Sequence, residues 1–138
     1  MIEPLGSAPR PGDTEKITIN LGFVDLGRID LLVRDGFYTN RTDFIRTAVR
    51  NQLARHDVAV ERAVRRGGLE LGMRHLGRAE LEALRARGET LRINMLGLMR
   101  IAADVTPELA RATIDSLTVL GALHASAAVK AALADRMR

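Results

Sequence analysis

Residues 15–21 read EKITINL, with Ile17, Ile19 and Leu21 apolar and Lys16, Thr18 and Asn20 polar between them. Strict alternation of this kind predicts a β-strand with one buried face. The period then changes. In VDLGRIDLLVRDG, Leu26, Ile29, Leu32 and Val33 fall at helical spacing, and Gly36 stands where a helix would stop. A second helix is expected after Thr39 and Asn40, either of which can cap it, and Asn40 with Asp43 has the spacing of a capping box. Phe44, Ile45, Ala48, Val49, Leu53, Val60 and Val64 form one apolar stripe, which predicts an uninterrupted helix ended by Gly67-Gly68.

The second half of the chain repeats itself. LRINMLGLMRIAADVTPEL and SLTVLGALHASAAVKAAL align at an offset of 24, pairing Ile93 with Leu117, Met95 with Val119, Leu96 with Leu120, Gly97 with Gly121, Met99 with Leu123 and Val105 with Val129. Each unit begins as an alternating, strand-like run through a glycine and ends as a helix, the first opened by Thr106-Pro107. A weaker copy precedes them, GLELGMRHLGRAELEALRARG, with a helix from about Arg78. Strand–helix units at this period predict a small solenoid-like domain of parallel strands over residues 69–138. Residues 1–13, with three prolines and two glycines and no periodicity, are expected to be a flexible arm.

Composition narrows the options. A chain of 138 residues suits one domain or two very small ones. It has no cysteine, which excludes disulfides, thiolate metal sites and a cysteine nucleophile. With no secretory or membrane-spanning run, the cytoplasm is the expected compartment and no membrane partner is expected. The net charge of +4 permits nucleic-acid binding without demanding it. His56, His75 and His124 are scattered in sequence and make no metal-ligand spacing, so neither a metal nor another cofactor is expected. Ser7, Ser116 and Ser126 sit in no nucleophile motif, and Asp104 and Glu108 read as residues flanking a helix start. No catalytic constellation is present and no enzyme is expected.

A strand followed by two helices over residues 14–66 is too small to bury a core alone. Two copies would solve this. Their strands would pair antiparallel into a ribbon, turning Ile17, Ile19 and Leu21 inward onto four helices and Lys16, Thr18 and Asn20 outward. A two-stranded ribbon fits the DNA major groove, where lysine donates to guanine, asparagine pairs with adenine, and threonine bonds a base edge or meets the thymine methyl. Residues 16–53, KITINLGFVDLGRIDLLVRDGFYTNRTDFIRTAVRNQL, resemble the ribbon-helix-helix DNA-binding domain of the Arc/MetJ/CopG type, most specifically in ITINL and GFYTNRTDFIRTAV. The resemblance implies an intertwined dimer that reads bases with Lys16, Thr18 and Asn20. It also implies a phosphate held at Thr39, Asn40 and Arg41, and a shared core that adds Ile29, Phe44, Ile45 and Val49 to the three inward strand residues. Many members carry proline near the start of the first helix, where this chain has Gly22-Phe23.

The sequence thus predicts an α+β protein: an N-terminal ribbon-helix-helix dimer followed by a strand–helix repeat domain. The expected function is sequence-specific transcriptional regulation, as a repressor on double-stranded DNA. The alternatives are an antitoxin of a toxin–antitoxin pair and an architectural DNA-binding protein. The C-terminal domain is expected to oligomerise or to bind an effector or protein partner.

Overall fold

The computed structural model describes residues 14–138, so the arm expected over 1–13 lies outside the described residues. The chain divides into two compact units between Arg62 and Ala63. The first holds helices α1 (Phe23–Arg34) and α2 (Arg41–Arg55) and most of α3 (Asp57–Gly67). The second continues with β1 (Glu70–Leu76), α4 (Arg78–Ala86), β2 (Leu91–Ile101), α5 (Pro107–Thr113), β3 (Ile114–His124) and α6 (Ala127–Leu133), then a 3-10 turn, Ala134–Arg136. No helix among the described residues is long and apolar enough to cross a membrane.

One expectation for the first unit needs correction. The strand expected over 15–21 is one that pairs with a second copy, and within the single chain no described segment hydrogen-bonds to it. The long second helix is two helices. His56 closes α2 by donating its N–H to Leu53, three residues back rather than four, and Asp57 opens α3. The apolar stripe has its gap here: between Leu53 and Val60 stand His56 and Asp57, both poor helix formers, with the aspartate placed well for a helix start.

In the second unit three parallel strands lie in the order β1-β2-β3. The sequence repeat is their register. Ile93 faces Leu117, Met95 faces Val119, Gly97 faces Gly121 and Met99 faces Leu123, while Gly72 of the weaker copy faces Gly97. The offset of 24 does not extend past the strands. The helices are capped by Thr106 and Ser126, twenty residues apart, because the turn Ala102–Val105 before α5 has no counterpart before α6. Val105 and Val129, aligned in sequence, therefore sit in a turn and in a helix, though both are buried.

One face of the sheet carries the core. Ile93, Met95, Met99 and Ile101 of β2 alternate inward with Leu117 and Leu76 and meet Leu81 and Leu84 of α4, Leu109 and Ala110 of α5, and Val129 and Leu133 of α6. Buried Thr113 donates its hydroxyl to the Leu109 carbonyl (2.7 Å), so no polar group is stranded there. The opposite face holds Leu71, Met73 and Leu120, all exposed, with Leu96 and Leu98 half-buried between them.

Gly72, Gly97 and Gly121 form a ladder across the strands, with φ of 129°, 142° and 122°. A Cβ on Gly97 would lie 2.0 Å from the Gly72 carbonyl oxygen, and one on Gly121 2.1 Å from that of Gly97. Only glycine fits, on grounds of both dihedral and space. Gly97→Ala is therefore expected to cost about 3 kcal/mol or more, from backbone strain and overpacking of ~1–3 kcal/mol each. That corresponds to a drop of roughly 12 °C or more in the melting midpoint of this unit, read by circular dichroism.

Candidate nucleic-acid interface

The first unit is built around the turn between α1 and α2. Gly36 (φ 86°) ends α1: its N–H donates to the Val33 carbonyl and the Phe37 N–H reaches back to Leu32, which closes the helix with a left-handed glycine. Gly22 caps the start of α1 with no side-chain bond. Tyr38 meets Phe44 edge to face at 5.0 Å, packing the turn onto α2.

Asn40 caps α2, its Oδ1 accepting from the Asp43 N–H at 2.8 Å, and Asp43 Oδ2 reaches back to the Thr39 N–H at 2.9 Å. The expected capping box is present, with its return bond one residue further back than usual. These bonds leave the N–H groups of Arg41 and Thr42, the first two of the helix, without a partner among the described residues. They point out of the positive end of the α2 dipole, an arrangement suited to an anion.

The Arg41 side chain is committed elsewhere. Its Nε and a terminal nitrogen clamp both carboxylate oxygens of Asp30, each at 2.8 Å, and so tie the first turn of α2 to α1. This bond holds the Asp30 carboxyl below the ordinary carboxylate range and raises the arginine. Of the three residues expected at a phosphate, Thr39 and Asn40 thus stand beside the open N–H groups, and Arg41 contributes its backbone while its guanidinium holds the fold.

Thr39, Asn40, Thr42, Asp43, Arg46 and Arg50 surround a depression of about 370 Å³. Arg46 and Arg50 also line a neighbouring one of about 560 Å³ with Glu15, Lys16, Ile17 and Thr42. One face of α2 therefore joins the helix start to the segment carrying Lys16, Thr18 and Asn20, all three of which are exposed. Sequence reasoning missed Arg46 and Arg50. Their spacing of four from each other, and of four from Thr42 to Arg46, was the available signal.

The remaining expected residues gather into a groove. Ile19, Leu21, Ile29, Phe44, Ile45 and Val49 line an open volume of about 360 Å³, while Ile17 lies at the adjacent depression. Ile29 is the one buried apolar side chain among the described residues of this unit, and α2 buries none. Ile17 is 78% exposed and Val49 51%.

A family model described as Ribbon-Helix-Helix transcriptional regulator family matches residues 12–130, and so runs through both units. No curated protein and no solved structure shows significant similarity to the chain.

Because Asp30 is depressed by its pairing, its contribution to stability is present above the ordinary carboxylate range and is lost as pH falls through its own lower value. In Arg41→Gln the Asp30 carboxyl is expected to return to the ordinary range. Carbon-detected NMR titration of the side chain reads this directly, and an unmoved value would remove Arg41 as the cause.

Proposed function

The chain belongs to the ribbon-helix-helix transcriptional regulator family, and on that premise we propose that it is a dimeric, sequence-specific DNA-binding regulator, acting as a repressor in the cytoplasm. The observation that carries this reading is the open groove on α1 and α2. A unit of this size with a single buried apolar side chain cannot be stable alone. The groove residues are those that a second copy would cover while pairing its own 15–21 segment with this one. Ile17, Ile19 and Leu21 would then turn inward onto the two helix pairs.

In this reading Lys16, Thr18 and Asn20 face base edges in the major groove, and the open N–H groups of Arg41 and Thr42, flanked by Thr39 and Asn40, take a backbone phosphate. Arg46 and Arg50 add charge along the same side. Phosphate contacts set the position and the ribbon reads the sequence. No catalytic step and no cofactor belong to this function. We read the sheet unit, residues 69–138, as a short solenoid that serves oligomerisation or partner binding. Its own apolar core favours a regulator over an antitoxin, whose toxin-binding segment is usually polar and folds only on its partner.

The test is binding to DNA from upstream of the protein's own gene against unrelated DNA of equal length, at two salt concentrations. A preference of ~10³-fold or more that survives the higher salt is expected. Equal binding that collapses with salt would overturn sequence-specific regulation in favour of an architectural role. Replacing Lys16, Thr18 and Asn20 together by alanine should lower the preference about a hundredfold or more, at ~1–3 kcal/mol per base contact, while a dimer persists. Arg46→Ala and Arg50→Ala should instead weaken specific and unrelated DNA alike, each reducing the salt slope by about 1.

A further inference from the structure

The glycine ladder has a vacant rung. In Gly97 and Gly121 the unusual dihedral makes room for the carbonyl of the preceding strand, which fills the space at 2.0 and 2.1 Å from where a Cβ would be. Gly72 adopts the same conformation, φ 129°, yet nothing among the described residues lies within 4 Å of its Cβ position. The outer edge of β1 is prepared for a carbonyl that its own chain does not supply. Of the usual edge protections it has charge alone, in the Glu70–Arg74 pair at 3.7 Å. Glu70, Leu71, Gly72 and Met73 are exposed in succession, with no proline and no lysine among them.

The opposite edge of the sheet offers the matching strand. On β3 the Leu117 carbonyl points outward and accepts the Arg138 N–H at 3.0 Å, with Met137 bridged beside it. Alternate residues of a strand direct their carbonyls to the same side, so those of Val119, Gly121 and Leu123 point outward too. Gly121 is exposed. The tail therefore meets β3 at Leu117 and, through the Arg136 guanidinium, at Ile114, both before Val119.

The lengths agree as well. β2 and β3 have 11 residues each, but β1 has seven, and its first residue Glu70 pairs with Met95 of β2, not with Ile93 or Leu91. A strand like β1 placed on β3 in the ladder's register would start at Val119, just beyond the position that Met137 bridges at Leu117. The uncovered part of one edge has the extent of the other.

We infer that β3 of one copy of this chain pairs in parallel with β1 of another, Gly121 against Gly72, so that the sheet continues from chain to chain. Leu120 then stands beside Leu71 of the next copy and Ala122 beside Met73, which extends the rows Leu71-Leu96-Leu120 and Met73-Leu98-Ala122 that each chain already contains. The contact is head to tail, so it does not close on itself within a pair. If the helical unit dimerises as proposed above, the sheet edges join one dimer to the next.

Light scattering on the full chain without DNA tests this. The expected result is a mass above that of a dimer which rises with protein concentration. Leu71→Asp and Leu120→Lys, both at exposed positions, should each reduce it to the dimer mass with the circular dichroism spectrum unchanged. The double variant should regain the larger species, because the new carboxylate and ammonium groups become neighbours only across a β3-to-β1 junction. A parent that stays dimeric at every concentration would overturn the inference. So would a large species that survives Leu120→Lys, or a double variant that stays dimeric, since an antiparallel pairing of two β1 edges leaves Leu120 out. A monomeric Leu71→Asp variant would count against the ribbon dimer and leave the edge contact standing.

Discussion

A strand leaves N–H and C=O groups along both of its edges, and each must find a partner in protein or in water. Both units of this chain are organised by that requirement. In the second unit three strands of a repeated design satisfy one another, and three helices seal one face of the result. In the first unit the segment carrying Ile17, Ile19 and Leu21 has no hydrogen-bonded strand beside it among the described residues, and its apolar side lies along an open groove. One half of the molecule contains its own solution, and the other leaves its apolar groove open among the described residues. The family match spans the residues of both units.

The turn between α1 and α2 is held by small local devices. The left-handed glycine at 36, the Tyr38–Phe44 contact, the Asn40 and Asp43 caps and the Asp30–Arg41 clamp all fall within one turn and the helix ends it joins. Each is worth little at an exposed site, and an ion pair there contributes of order 1 kcal/mol or less. Together they fix the direction in which the first N–H groups of α2 point. Placement, and not bulk charge, gives this surface its character: the chain's net charge is only +4.

Much of this was legible from residue order, for identifiable reasons. Asn40 and Asp43 gave the cap because side-chain capping is local. The match of Gly97 with Gly121 gave the strand register because a ladder of backbone contacts forces the same residue at each rung. The same comparison misplaced Val105 against Val129, because turns are under no such constraint and differ in length between units. The break at His56 was hidden by reading the apolar stripe as continuous across the six residues between Leu53 and Val60. The double use of Arg41, and the nearness of Arg46 and Arg50 to Lys16, depend on how α1, α2 and the 15–21 segment pack, which spacing along one helix does not reveal.

The glycine ladder also bears on how such a chain can change over generations. Because each rung accepts the carbonyl of the one before, a whole coil of strand, helix and turn can be duplicated or deleted with its neighbours still in register. A shift of one residue within a strand would set a side chain against a backbone oxygen about 2 Å away. Variation in the length of this unit should therefore come in steps of a full repeat, with slack confined to the turns, as the four residues Ala102–Val105 already illustrate.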